Sequence, residues 1–386
     1  MTEIGGYVAR GFEPVRDAFS RNFDRDGEIG ASVCVHVGGR PVVDLWGGEH
    51  DERTLQLVFS TTKAATAVCA HLLAQRGLLD LDAPVVEYWP EFGAAGKESI
   101  PVRWLLCHKA GLPVIDRELS LAEALAWDPV VDALAAQRPL WPPGTQHGYH
   151  AMTFGWLVGE VVRRVSGRSP GTFFAEEVAA PLGLEFWIGL PEQEHHRVVP
   201  LVQPFEAPEG RPAEAHPELA KMIDEFLGPD SLTMRALNAP SSVFVNAERG
   251  WNTPAIWSAE VPAANGITNA RSLSKLYASL LGEVEGIRLL SAETVDCART
   301  CQADGPDKVI VFPMRWGSGF MLASSTIGLL GPGSFGHAGF GGSLGFADPE
   351  SGVAFGYVMS KLQFGVAGDR RSFRLIRAVK ECLEAR

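Results

Sequence analysis

A lysine set in an otherwise uncharged, apolar helix is the feature of this chain that most restricts what it can fold into. Residues 56–79 read QLVFSTTKAATAVCAHLLAQRGLL. Leu55, Leu57, Val58 and Phe59 have the texture of an extended segment, and Ser60, Thr61 and Thr62 favour a helix start. After Lys63 the run is nearly all Ala, Val, Leu and Cys, with no further charge until Arg76. A surface helix would show a polar face. This one shows almost none, so it is expected in the middle of the protein, ending at Gly77.

Burying a charge is costly unless it is paired or neutralised. Lys63 follows Ser60 by three positions, which puts both side chains on one face of the first turn. Burial and the positive end of the helix dipole both push a lysine toward its neutral form. A neutral amine beside a hydroxyl is a general base beside a nucleophile. The same S-x-x-K pattern also describes an N-cap serine followed by a lysine that snorkels to water, so the chemical reading needs partners elsewhere in the chain.

The 386 residues suffice for one large or two modest domains, and 46% hydrophobic with 21% charged residues is ordinary for a globular protein. A formal charge of −12 with no basic patch argues against nucleic acid or an anionic membrane as partner. No stretch is long and apolar enough to span a bilayer. The opening MTEIGGYVARGFEPV lacks the basic and apolar regions of a signal peptide, which gives a cytoplasmic expectation. Cys34, Cys69, Cys107, Cys297, Cys301 and Cys382 lack the paired spacing of a zinc site and are expected to be reduced and mostly buried. Glu194-His195-His196 has no third ligand at a recognisable spacing, so a polar loop or helix start is expected there. No metal or cofactor is expected.

Apolar spacing predicts a helix over residues 6–23. Residues 31–37 alternate as a strand, Gly38-Gly39 makes a hairpin turn, and residues 41–46 return. Helices are expected over residues 101–106, 121–136, 153–166 and 272–281, with an exposed loop over 204–217. Residues 317–322, 343–347 and 353–359 read as extended, and 369–385 as a closing helix with Phe373, Ile376, Val379 and Leu383 inward. Strands at both ends with helices between predict an α/β domain built from residues 1–58 and 262–386, a mainly helical domain over 59–261, and an active site between them.

Two further stretches have the character of a site wall. Trp141-Pro-Pro-Gly144 fixes its backbone and then presents Tyr149, whose hydroxyl could relay a proton beside a lysine; a core tyrosine is the plainer reading. Residues 335–343, FGHAGFGGS, carry enough glycine at a strand edge to let something approach the backbone, where a row of N–H groups could bind an oxyanion. A bulged edge strand is the plainer reading there.

Taken together, Ser60-x-x-Lys63, Tyr149 and His337-x-Gly339 resemble, in order and spacing, the serine β-lactamase and penicillin-binding-protein superfamily. Leu105-Leu106-Cys-His-Lys-Ala-Gly-Leu112-Pro113 looks like its LLxHxSGLP stretch, and Pro143-Gly144-Thr145, Leu157-Val-Gly159 and Pro181-Leu-Gly183 fit its helical domain. Within it the chain looks like the class C β-lactamase-like esterases, the family VIII carboxylesterases. The resemblance implies an antiparallel sheet flanked by helices plus a helical domain. It implies acylation of Ser60, proton handling by Lys63 and Tyr149, and release of the acid by water. It further implies an oxyanion hole from the N–H groups of Ser60 and Phe340, with His337, Gly339, Phe340 and Gly341 lining the substrate.

Two departures set the expected substrate. The family's Tyr-x-Asn reads Tyr149-His150-Ala151, without the side-chain amide, and Lys-Thr-Gly reads His337-Ala338-Gly339, without the fixed positive charge. Both serve recognition of a β-lactam. Gly341-Gly-Ser343-Leu-Gly345 matches the G-x-S-x-G elbow of another fold, but that fold needs a histidine after the serine, and the last histidine here is His337. Ser343 is therefore expected to be an ordinary strand residue. The leading expectation is a serine esterase for short-chain esters. The alternatives are a β-lactamase or D-amino-acid peptidase, against which the cytoplasmic expectation counts, an acyltransferase, and a catalytically silent binding protein, against which the intact Ser60, Lys63 and Tyr149 count.

Overall fold

The chain enters its main sheet at once, as β1 (Ile4–Val8), β2 (Gly30–Val37) and β3 (Arg40–Gly48). The structure, a computed structural model, describes residues 2–203, 228–240, 250–363 and 368–385; the loop expected over 204–217 lies outside them. Gly38 and Gly39 both take positive φ, 57° and 76°, the conformation that a tight hairpin between right-twisted strands requires. Residues 6–23 are not one helix. Ile4–Val8 pairs along β3, Gly6 sits at φ 103°, and helix α1 (Glu13–Asp26) begins only where Pro14 fits the first turn.

Three two-residue strands, β4 (Gln56–Leu57), β5 (Phe186–Trp187) and β6 (Ile267–Thr268), form a small sheet in the order β4-β6-β5. The last third returns to the main sheet as β7 (Ala303–Pro306), β8 (Pro313–Trp316), β9 (Met321–Leu322), β10 (Phe335–Ala338), β11 (Leu344–Asp348) and β12 (Val353–Met359). Its order is β1-β3-β2-β12-β11-β10-β9-β8-β7, with every neighbouring pair antiparallel. The first and last thirds of the chain thus meet where β2 pairs β12.

The expected buried helix is α2 (Thr62–Gln75), preceded by a 3-10 turn at Phe59–Thr61. Residues 62–73 are buried without exception. Helix α3 (Thr153–Ser166) packs beside it, and its Gly155 admits the backbone of Pro262 and Ala263, since a Cβ there would lie 2.5 Å from the Ala263 nitrogen. Helix α4 (Ala270–Leu281) lies on β2, β11 and β12. Gly345 and Gly356, partners across β11 and β12, let it approach closely, since a Cβ on either would lie 2.5 Å from Tyr277 or from Ala270 O. Helix α5 (Arg370–Glu384), capped by Asp369, packs on α1.

The helix expected over 121–136 is two, Leu121–Leu125 and Asp128–Ala136. Trp127 breaks it at φ 64°, because its indole N–H reaches back to the Glu160 carboxylate (2.9 Å), and Pro129 then suits a new first turn. Of residues 317–322 only Met321–Leu322 is strand; Gly319 turns at φ 87° against Ala67. On α5 Ile376 and Val379 are buried, but Phe373 is 37% exposed and the buried residues of that turn are Arg371 and Ser372. Among the described residues no helix is long and apolar enough to cross a membrane.

Candidate active site

The local backbone places Ser60 before any chemistry is invoked. Val58 N–H bonds Gly266 O (2.9 Å), and the Thr62 hydroxyl donates to Phe59 O (2.5 Å) while accepting from Gly266 N (2.8 Å). Phe59 is held at φ 46°, a costly conformation for a bulky residue and the kind of strain found where a side chain must be aimed. Ser60 is only partly buried, at the mouth of the helix.

Lys63 is fully buried. Its Nζ lies 3.0 Å from Ser60 Oγ and donates to two carbonyls, Ala151 O (2.6 Å) and Ala263 O (3.0 Å). Desolvation holds its pKa well below that of an ordinary lysine. A neutral amine has two N–H groups and one lone pair. The carbonyls occupy the two donors, which leaves the lone pair for the serine proton. Ala151 stands where the family has its asparagine, and it supplies a carbonyl to the lysine rather than an amide to a ligand.

Tyr149 is buried, its ring centroid 4.9 Å from the Lys63 nitrogen. Burial pushes the phenol pKa up; interaction with the Ser60 side chain opposes this and the Asp307 charge adds to it. Lysine and tyrosine are thus driven in opposite directions, the first toward the free base and the second toward the intact acid.

Four residues to which the sequence analysis gave no role hold Tyr149 in place. Asp307 Oδ1 accepts from Tyr149 N (2.9 Å), Val309 N (2.9 Å) and Ile310 N (3.0 Å). Trp316 stacks on the Tyr149 ring (5.4 Å, 6°). His108, within the LLxHxSGLP-like stretch, packs on the same ring and accepts from His150 N through Nδ1 (3.1 Å). His150 donates from Nδ1 to Gly148 O (2.6 Å) and accepts from Leu112 N at Nε2 (2.9 Å), so both rings are neutral. Only His108 carried a signal in the sequence.

On the facing strand, His337, Gly339 and Gly341 are buried, and Phe340 keeps accessible surface. His337 Nδ1 donates to Ala338 O (2.7 Å), and desolvation, with Lys63 nearby, lowers its pKa to about 3. The position of the family's lysine is therefore uncharged at any working pH. Gly339 packs against Val58 O, where a Cβ would come within 2.1 Å. Neither Ser60 N nor Phe340 N donates to a protein group among the described residues. Phe59 stands edge-on to both Phe340 (5.6 Å) and Trp251 (5.1 Å), and Trp257 donates to Trp251 O (2.8 Å). These rings make an apolar wall beside Ser60.

The Beta-lactamase family profile matches residues 15–379. The chain belongs to the Beta-lactamase family. It is 36% identical to the Esterase/beta-lactamase LipL of Mycobacterium tuberculosis over 364 residues, 91% of this chain and 81% of that protein. It superposes on a family VIII carboxylesterase at TM-score 0.85 with 38% identity, covering 98% of this chain and all of that one. The EstA structure from Arthrobacter nitroguajacolicus Rue61a gives TM-score 0.88 at 33% identity, covering 100% and 99%. The expected β-lactamase-like fold and the likeness to family VIII carboxylesterases therefore hold, and the protein is a β-lactamase-like serine hydrolase by family.

In this family member Ser343 is more than an ordinary strand residue. Its hydroxyl donates to Val58 O (2.8 Å) and lies 3.0 Å from the Thr61 hydroxyl, so it ties the glycine-rich strand to the turn that carries Ser60. It is 1% exposed and lies outside the cleft. Cys34, Cys69, Cys107 and Cys382 are buried as expected, whereas Cys297 and Cys301 are exposed. Glu192–Arg197 is a 3-10 turn, as a polar helix start would be. No three metal-ligating side chains cluster among the described residues.

Proposed function

We propose that the protein is a serine esterase for short-chain, uncharged carboxylic esters, working through an acyl-enzyme on Ser60. The observation that carries this reading is Lys63, fully buried, with both N–H groups of its neutral form engaged and its nitrogen 3.0 Å from Ser60 Oγ. Lys63 takes the serine proton as Oγ attacks the ester carbonyl. The developing oxyanion is met by the N–H groups of Ser60 and Phe340. The tetrahedral centre collapses, Tyr149 protonates the leaving alkoxide, and Lys63 returns the proton to Tyr149. Water then enters, gives a proton back through the same pair, and cleaves the acyl-enzyme to acid and Ser60.

The substrate follows from what the cleft lacks. LipL is named for both esterase and β-lactamase activity, and in this chain the two departures separate them. A β-lactam brings an amide and a carboxylate; here Ala151 has no side-chain amide and His337 has no charge. Each unmade hydrogen bond to such a group forfeits about 1–3 kcal/mol. Two such losses amount to about two to four powers of ten in kcat/KM. A short p-nitrophenyl ester needs neither contact, and Phe340, Phe59 and Trp251 can cover its apolar tail. The test is kcat/KM for p-nitrophenyl butyrate and nitrocefin side by side, with Ser60→Ala as control. Fast ester turnover, slow nitrocefin turnover and an inert Ser60→Ala are expected. Equal efficiency on both substrates would make β-lactamase the better description.

A further inference from the structure

Behind the glycine-rich strand lies a buried ionic cluster that the reaction as described does not use. Arg371, at the start of α5, has no exposed surface and spends its whole fork inside the protein. It donates to Asp369 Oδ2 from Nη2 (2.6 Å) and from Nε (3.1 Å). Nη1 donates to Glu28 Oε2 (2.7 Å) and to Lys361 O (2.8 Å). Glu28 Oε2 also accepts from the Tyr357 hydroxyl (2.7 Å). The remaining bond leaves the cluster: Nη2 donates to Gly341 O (2.8 Å), which also accepts from Gln363 N (3.0 Å).

Gly341 is the residue after Phe340. It takes φ 85° and Gly342 takes φ 127°, both in the region that favours glycine. The turn is pressed against the cluster as closely as backbone allows. A Cβ on Gly342 would lie 2.3 Å from Asp369 Oδ2 and 2.6 Å from Arg371 Nη2. Held there, Gly342 N donates to Gly339 O (3.3 Å), and Gly339 N donates to Ser343 O (2.8 Å). Gly339 O belongs to the same peptide plane as Phe340 N. In a trans peptide the C=O and N–H point opposite ways. Fixing Gly339 O toward Gly342 therefore turns the Phe340 N–H out of the turn, away from protein acceptors.

We propose that Arg371 is a positioning residue for the oxyanion hole: through Gly341 O it locks the Gly339–Gly342 turn and so the direction of the Phe340 N–H. This rests on the acyl-transfer reading above. It also accounts for a full guanidinium buried where a hydrophobic side chain would fill the space at less cost. Glu28 and Asp369 keep the guanidinium charged and oriented, so the two ends of the chain converge on one hydrogen-bond donor to the site.

The experiment compares wild type with Arg371→Lys, which keeps the charge but cannot reach Asp369, Glu28 and Gly341 at once. If wild type fails to hydrolyse p-nitrophenyl butyrate, the esterase reading falls. The positioning role is then judged by hydrogen exchange of residues 335–344 alone, which is expected to speed up in the variant. With an active wild type, kcat should drop at least about tenfold, a fraction of what losing an oxyanion donor costs, with KM within twofold. Affinity for phenylboronic acid, whose tetrahedral adduct places an oxygen in the hole, should fall in step with kcat. A merely structural residue would not move kcat and boronate affinity together at constant KM. Unchanged kcat, boronate affinity and exchange overturn the proposal. If Arg371→Lys does not fold, Gly342→Ala decides, because it keeps the cluster but thrusts a methyl onto it; full activity in that variant overturns the proposal.

Discussion

At the scale of residues, the proposed mechanism sets two protons against their usual owners. Lys63 is stripped of water and its pKa falls; Tyr149 is buried and its pKa rises. If Lys63 is the base, as proposed, it must be deprotonated to accept from Ser60, so kcat/KM should climb as pH rises through the lysine's lowered pKa and level off above it. The other titratable rings near Ser60 do not blur this limb. His337 is lowered to about 3 and His150 to about 4, and His108 is held well below its ordinary value, all chiefly by burial. The rise is expected at a pH below about 10, the ordinary lysine value, because desolvation brings it down. His337→Asn should leave that limb in place. A pH-independent rate over this range, or an optimum near about pH 5, would assign the base to a carboxylate instead.

At the scale of elements, one carboxylate ties the Tyr149 backbone to the turn that follows β7. Asp307 Oδ1 gathers three backbone N–H groups, two from its own turn and one from Tyr149. That turn contains Val311 at φ 70°, a strained position for a β-branched residue. Asp307→Ala should release both strain and tyrosine. Stability should fall by about 3 kcal/mol, the scale of losing a buried charged acceptor, and kcat/KM by about one to two powers of ten, the cost of misplacing a catalytic group by an ångström. Asp307→Asn keeps an oxygen at Oδ1 and should recover most of both, read by thermal melts and steady-state kinetics. Equal activity of Asp307→Ala and wild type would show that Tyr149 does not depend on this latch. Such a link is invisible in the sequence because it joins residues 158 positions apart. What the sequence did carry was periodic or local. α3 fell on its apolar repeat, and the β2–β3 hairpin on its valines and glycine pair. Where a distant partner won, the reading failed. Trp127 split a helix to reach Glu160, β1 formed because β3 offered an edge, and Arg371 displaced Phe373 from the interior because Glu28 and Gly341 were waiting for it. Ser60, Lys63 and Tyr149 stood out because a buried lysine is anomalous by itself; the structural tie made by Ser343 did not, because its partners lie on another element.

At the scale of the whole molecule, the described interior holds several buried neutral histidines, and they shape how the fold responds to acid. Of the ten histidines, His36, His50 and His150 have pKa values lowered to about 4 and His337 to about 3, in each case chiefly by desolvation. In the unfolded chain each would titrate near about 6.5. Between about pH 6.5 and about pH 4 the unfolded state therefore binds protons that the folded state refuses, and stability must fall as pH falls through this window. One such group contributes about 1.4 kcal/mol per pH unit, so four together reach about 5 kcal/mol per unit near pH 5. For a chain of this length that is a drop in melting temperature of about 6 °C per pH unit. Calorimetry from pH 8 to pH 4.5 should show a plateau down to about pH 6.5 and a steep decline below it. His50→Gln should make the decline shallower by about one proton's share; His50 contacts Gln56 rather than the reacting groups, so activity at neutral pH should survive. A melting temperature flat from pH 7 to pH 4.5 would mean that these rings take up protons in place. The acid limit of the enzyme would then be set by titration within the site, and not by loss of the fold around it.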